Sequence, residues 1–428
     1  MGPFDHGVYE APGSREAAIR EPGFASREVR GKPPSGNIAR ERGPGMKRST
    51  DRILTTHTGS IPRPPELLAL SRAQLGPPKD PALYAERLRQ AVADVVRRQV
   101  EVGIDIVDDG EFGKESWGAY ILARVSGFER RPDQLRQVEW LGRERETFAE
   151  FLAEAFPRAV HGVPTEACIG PIHYRGYDSL NRAVESLTGA LQAVPAEEAF
   201  MTAVAPGSTA YDGVNEYYSS EREYVFAIAE ALREEYRAIH AAGLIVQVDD
   251  PVLANMYDAL TSQSPARYRE WAQLRVDAVN HALRDIPEDR VRYHVCFGSW
   301  QVPHTSDAPL EEIVELILQV RAGAYLIEAA NPRHEHEWRV WEKFGLPEGR
   351  ILIPGVVTHH TVTVEHPRLV ADRIVRFANI VGRENVIAGT DCGFAQVDHL
   401  QRVHPTVMWA KFEALVAGAR LASRELWG

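Results

Sequence analysis

From residue 53 onward, apolar runs of strand length alternate with stretches of helical periodicity, and this alternation limits the fold more than any other feature. The strand candidates are 53–58 (ILTTHT), 104–109 (IDIVDD), 199–204 (AFMTAV), 244–249 (LIVQVD), 292–297 (RYHVCF), 324–329 (AYLIEA), 351–356 (ILIPGV) and 386–391 (VIAGTD). Several are rich in Val, Ile and Leu on both faces, as strands covered on both sides are. Between them lie helices with clear signals. Ser220 and Glu223 form a capping box ahead of Val225, Ile228, Leu232, Tyr236 and Ile239 at helical spacing. Residues 310–321 and 367–381 carry similar stripes, the second with Pro367 at its start. Eight strands, each followed by helix, predict an α/β fold of the (β/α)₈ TIM-barrel type. A doubly wound open sheet is the alternative, but no GxGxxG follows any strand.

The spacing is uneven. About 95 residues separate the second and third strand candidates. Residues 113–165 read as a helical insertion after the second strand, with a helix around 144–155. Residues 167–175 read as an added strand or hairpin over the barrel mouth. Residues 1–45 differ from the rest, with 8 Gly, 6 Pro, mixed charge and no apolar periodicity. They predict a disordered N-terminal extension. They lack the apolar core of a signal peptide, and their Glu residues do not suit a mitochondrial transit peptide. Met46 opens the patterned part and is a candidate translation start. The expected domain is therefore 46–428.

Of the 428 residues 44% are hydrophobic, enough for one large buried core. A net charge of −11 without a basic stripe argues against a nucleic-acid partner. No apolar run reaches the roughly 18 residues of a membrane span. Three cysteines do not make a disulfide framework, which suits a cytoplasmic protein.

The polar residues that stand out fall at the C-terminal ends of the strand candidates, where barrel enzymes keep their chemistry. His57 and Ser60 follow the first; Asp108, Asp109 and Glu111 the second; Asp249 and Asp250 the fourth. His294 and Cys296 are two apart on the fifth, so they share a face. Glu328 ends the sixth, His359 and His360 follow the seventh, and Cys392 ends the eighth. Each has a plainer reading. A lone buried Cys is usually a small core hydrophobe, and the Asp pair could cap a helix. Glu328 is harder to dismiss, because a carboxylate ending an apolar strand must find a partner or stay wet. A His, two of only three cysteines and a Glu at one rim predict a zinc site of His294, Cys296, Glu328 and Cys392. Ligands this anionic make zinc a poor electrophile. They favour presenting a sulfur nucleophile, and so alkyl transfer to a thiol over hydrolysis.

Taken together, LTTHTGSIPRP, DGEF, VDDP, HVC, IEAANPRHEHEW and GTDCGF resemble the catalytic domain of cobalamin-independent methionine synthase over about residues 50–428. That family lies in the barrel superfamily that includes uroporphyrinogen decarboxylase. The resemblance implies zinc on His294, Cys296, Glu328 and Cys392. It implies that Glu111 and Asp249 meet the substrate ammonium and that Ser60 lies near its carboxylate. It implies His360 as proton donor. The expected function is S-methyl transfer to a small-molecule thiol, homocysteine, from a methyl-folate or similar donor, giving methionine. The chain is expected to lack the additional N-terminal barrel of the full-length folate-dependent synthase. The wording HVCFGSW and EAANPRHEHEW also resembles epoxyalkane:coenzyme M transferases, so alkyl transfer to a coenzyme M-type thiol is the alternative. A decarboxylase-like or non-catalytic barrel is the third reading. No nucleic-acid or membrane partner is expected, and a homo-oligomer is compatible with the sequence.

Overall fold

The computed structural model describes residues 45–72, 80–156, 161–298, 300–397 and 402–428. The extension expected over 1–45 lies outside the described residues, Gly45 excepted. Among the described residues ten strands form in chain order: β1 (Ile106–Val107), β2 (Phe128–Arg136), β3 (Val163–Cys168), β4 (Glu198–Val204), β5 (Gly213–Asn215), β6 (Ile245–Asp249), β7 (Val291–His294), β8 (Ala324–Ile327), β9 (Ile351–Val357) and β10 (Gly389–Thr390). Seven make one parallel sheet in the order β1-β4-β6-β7-β8-β9-β10. The sheet curls, and each parallel crossover is made by helix.

The sheet is apolar on both faces, as its Val- and Ile-rich strands require. On the concave face Leu54, Ile106, Phe200, Ile245, Leu326, Ile353 and their neighbours form a cluster of their own. The convex face packs against helices in a much larger core. The helix Glu221–Ala241 shows how. Ser220 Oγ accepts from the Glu223 amide at 3.2 Å and starts it. Glu223 reaches back one residue further than a capping box requires, to the Ser219 amide (3.2 Å) and hydroxyl (2.7 Å). Val225, Ile228, Leu232, Tyr236 and Ile239 are all buried, each contributing roughly 1.5–3 kcal/mol of apolar burial.

Above the concave apolar layer lies a polar one, built around Arg292. Its Nε donates to Gln247 Oε1 (2.6 Å) and its Nη1 to Thr56 Oγ1 (3.0 Å), and the guanidinium lies 3.6 Å from the Phe200 ring centroid. Burial pulls this Arg down to about 9, against the nearby Asp108 and Asp249. Gln247 passes the support upward, donating to Thr58 O and Asp249 Oδ1, both at 2.7 Å.

Two expectations need correction. The run 53–58 is not a full strand. Thr55 and Thr56 make single parallel bridges, to Ala388 on one side and Ile106 on the other. The Asp105 carboxylate accepts from the Thr55 amide at 2.7 Å, and the Thr55 hydroxyl donates to Gly103 O at 3.0 Å, so side-chain bonds replace part of the ladder. The insertion after the second strand candidate is not simply helical. β2 runs antiparallel to β3, and β3 parallel to β5, in a separate three-stranded sheet. β2 reads FERRPDQLR, whose charges and proline argue against a strand. It is tolerated because it is an edge strand, with a register shift between Arg131 and Leu135 around Pro132. The helix expected at 144–155 breaks at Phe148 into Glu144–Thr147 and Ala149–Ala155. The added strand or hairpin expected at 167–175 is mostly loop: only Ala167 and Cys168 lie in a strand, the end of β3, and Tyr174 makes a single bridge to Val125. No helix among the described residues is long and apolar enough to cross a membrane.

Candidate active site

Strand register assembles the site. In the β6–β7 pair Asp249 stands opposite His294, so their side chains meet, with His294 Nδ1 2.9 Å from Asp249 Oδ1. That bond makes Nδ1 the donor and turns Nε2 the other way. Nε2 is buried and has no hydrogen-bond partner among the described residues. Cys296, two residues on, shares that side, and its Sγ lies 3.4 Å from Cys392 Sγ. One ligand atom from each of His294, Cys296 and Cys392 falls within 4.8 Å of the others. The cysteines share their charge unequally. The Cys296 hydrogen bond and His294 hold Cys392 down at about 5, while Cys296 is pushed up by its bond to Cys392 and by burial. Burial opposes a charge on His294, but Asp249 and Cys392 outweigh it and raise it to about 10. An orphaned imidazole nitrogen facing two sulfurs is a donor set that fits a soft divalent cation, zinc before magnesium or calcium.

Glu328 sits beside this trio rather than in it. Its Oε1 accepts from the Phe297 amide (3.0 Å) and its Oε2 from Asn331 Nδ2 (2.7 Å). Both oxygens keep a free acceptor site, since a carboxylate offers about four. Its carboxylate groups with His359 and His360, with His360 Nε2 3.7 Å from Glu328 Oε2. His359 is fully buried, with neither ring nitrogen hydrogen-bonded among the described residues, and burial and His360 drive its pKa down. Asp391 ties this loop to β10, its Oδ1 accepting from the Ala329 and Ala330 amides at 2.8 Å. Burial, then the charge on Glu328, raise Asp391 to about 8.

The trio opens into a cleft that Ser60, Glu111 and Asp249 also line. Glu111 is one of two non-glycine residues at positive φ (60°) among the described residues, a conformation that costs of order 1–3 kcal/mol and gathers at functional sites. Its amide is held by Asp109 Oδ1 at 2.9 Å, and its Oε2 is buried without a hydrogen-bond partner among the described residues. Burial raises this carboxyl to about 7, against the pull of Lys114. Gly59 (φ +127°) gives it room, since a Cβ there would come within 2.6 Å of Glu111 Oε1. Ser60 Oγ accepts from the Ala395 amide at 3.3 Å, which places it against the loop of Cys392.

Other residues singled out in the sequence serve the scaffold. His57 is packed between Phe200 and Phe412, bonded to Gln99 at 2.7 Å, and lowered by burial to about 3. Asp250 accepts from Ser208 (2.8 Å) and Tyr293 (2.8 Å). Sequence reasoning missed Trp300 and Arg402, which also line the cleft. Trp300 stacks on Trp140 of the insertion, with centroids 5.4 Å apart at 12°. It lies four residues past Cys296, and an aromatic so near two ligand candidates was the available signal. Arg402 follows no strand closely and left none.

Comparison with known proteins points to one kind of enzyme. Residues 209–411 match the model of the cobalamin-independent synthase catalytic domain, a span that contains all four proposed ligands. Over that span the chain is similar to this family. It is 25% identical over 381 residues to a methionine synthase of Thermococcus kodakarensis, covering 87% of this chain and 94% of that protein. It is 24% identical over 415 residues to the 2-hydroxypropyl-CoM lyase of Xanthobacter autotrophicus, covering 87% and 96%. The B12-independent methionine synthase of Shewanella sp. W3-18-1, solved with selenomethionine, shares the fold at a TM-score of 0.66 and 18% identity, covering 88% of this chain and 99% of that one. The chain is a transferase, as its relatives named methionine synthase and homocysteine methyltransferase indicate.

Proposed function

We propose that this chain is a zinc-dependent S-methyltransferase that methylates homocysteine to methionine, taking the methyl group from a methyl-folate or similar donor. The observation that carries the reading is the orphaned His294 Nε2 facing Cys296 and Cys392, in a cleft that also holds an unpartnered Glu111 carboxylate. His294, Cys296, Cys392 and, from the next loop, Glu328 would hold the zinc. Zinc bound there would keep a substrate thiol deprotonated, and so nucleophilic, at neutral pH.

The remaining work falls to the chain's own side chains. Glu111 and Asp249 are placed to receive an ammonium; Glu111, with burial holding its proton, ionises when a cation arrives to pair with it. Ser60 lies at the same wall, where its hydroxyl can donate to a carboxylate. His360 is the proton donor for the leaving atom of the donor substrate, and its Nε2 lies 3.7 Å from a Glu328 oxygen. The methionine synthase relatives support the same chemistry.

The domain is proposed to span 46–428 as a (β/α)₈ barrel. The bridges of Thr55 and Thr56 to Ala388 and Ile106 support closure, because they join the two ends of the seven-stranded sheet. A second reading, alkyl transfer to a coenzyme M-type thiol, is favoured by one observation, the arginine at position 402 in the cleft. Metal analysis followed by a thiol screen tests the proposal. Stoichiometric zinc and methionine formed from homocysteine support it; a zinc-free protein, or product with a mercaptosulfonate alone, rejects it.

A further inference from the structure

Arg402 has so far only favoured the second reading and has no assigned contact with substrate. It lies in the loop that leads into the helix Pro405–Trp427 and lines the same cleft as His294, Cys296 and Cys392. Its guanidinium stands 5.1 Å from the Trp300 ring centroid, and Trp300 is backed by Trp140. Its Nη1 is buried and has no hydrogen-bond partner among the described residues. Such a group is costly. A buried arginine cannot shed its proton as a lysine can, so it either pairs or carries the full desolvation penalty. Several buried arginines here are ion-paired. Arg124 meets Glu235 at 3.2 Å, and Arg373 meets Glu335 at 2.9 Å. The charges that act on Arg402 are those of Cys392 and Cys296, while burial pulls it down. A planar cation on an aromatic shelf, with a free donor at the mouth of a sulfur site, has the form of an oxyanion receptor.

We propose that Arg402 recognises the oxyanion of the thiol substrate, pairing with its carboxylate or sulfonate while the sulfur enters the site of Cys296 and Cys392. The inference deepens the functional reading above and rests on a thiol binding in this cleft. It also separates the two oxyanions by their companions. With Glu111 and Asp249 in the same cleft, a carboxylate borne by an amino acid has a partner for its ammonium as well. A mercaptosulfonate leaves those two acids unpaired.

The test uses the zinc-loaded full chain and reads tryptophan fluorescence, since Trp300 lines the cleft. Three probes are titrated: homocysteine, 3-mercaptopropan-1-amine (the same skeleton without its carboxylate) and 2-mercaptoethanesulfonate. Arg402→Gln should weaken homocysteine by about 10- to 100-fold, the worth of one charge-assisted bond. It should leave 3-mercaptopropan-1-amine within about twofold and the zinc content unchanged, and Arg402→Lys should recover part of the loss. If the wild type instead prefers 2-mercaptoethanesulfonate and Arg402→Gln abolishes that preference, the oxyanion role stands and the amino-acid reading of the site falls. Equal weakening of all three probes, loss of zinc, no change at all, or a wild type that binds none of the probes overturns the proposal.

Discussion

Replacing Asp249 by Ala should weaken zinc binding without unfolding the protein. The His294 Nδ1 to Asp249 Oδ1 bond of 2.9 Å is buried, and it is what directs the orphaned Nε2 at the two sulfurs. Without it the imidazole can rotate or change tautomer, and its basicity falls. Loss of a carboxylate behind a ligating histidine typically costs 10–100-fold in metal affinity, or roughly 1.4–2.7 kcal/mol. The figure of about 1.5–3 kcal/mol for a charge-assisted hydrogen bond brackets nearly the same range. The cost to the fold should be smaller, about 1 kcal/mol, because Gln247 loses Asp249 but keeps its bond to Thr58 O. Asp249→Asn retains an acceptor for Nδ1 and should lose less than tenfold. Competition against a chromophoric chelator at fixed pH gives the affinities, and thermal melts of the same samples check folding. A folded Asp249→Ala protein that holds zinc as tightly as wild type would falsify the role given to this pair.

Three further outcomes are expected. Cys296→Ser and Cys392→Ser should each strip the metal, whereas Cys168→Ser should keep it, since Cys168 sits in β3 with its thiol directed at Gly170 O (3.5 Å); tight zinc in both of the first two variants, by elemental analysis, removes the assignment. His360→Ala should slow the chemical step by ~10²–10⁴-fold, and an unchanged single-turnover rate would leave His360 without a role. Glu111 titrates near 7 in the fold against an ordinary carboxyl near 4.5, so the unfolded chain releases this proton first and stability is lost as pH rises from about 4.5 to about 7. Glu111→Gln should remove that slope and stabilise the free protein at pH 8 by about 3 kcal/mol while weakening thiol binding; urea melts at pH 5 and pH 8 that show the same slope in both proteins contradict this.

The sheet was legible in the sequence because seven of its strands are continuous apolar runs with helices between them. The convergence of His294, Cys296 and Cys392 was legible for a related reason. Cysteine is scarce here, and parallel strands deliver their C-terminal residues to one rim. What the sequence hid were effects of partners distant in the chain. Thr55 gives its amide to Asp105, so the first run falls short of a strand. β2 is a strand because β3 pairs with it, despite a charged and proline-containing sequence. His57 looked like a rim residue, yet Phe200, Phe412 and Gln99 draw it into the core. Asp249 was read as a rim residue, a helix cap or an ammonium partner; strand register adds its bond to His294. Arg402 could not be found by strand-end reasoning, because it returns to the cleft from the start of the last helix.

The central claim, a thiol presented by His294, Cys296, Glu328 and Cys392 on zinc, is tested most directly by X-ray absorption at the zinc edge, with and without thiol. The account predicts one zinc per chain with two sulfur and two nitrogen or oxygen ligands, and a third sulfur when homocysteine is added but not when 2-mercaptoethanesulfonate is added. A spectrum unchanged by homocysteine, or a new sulfur with the sulfonate alone, would contradict it.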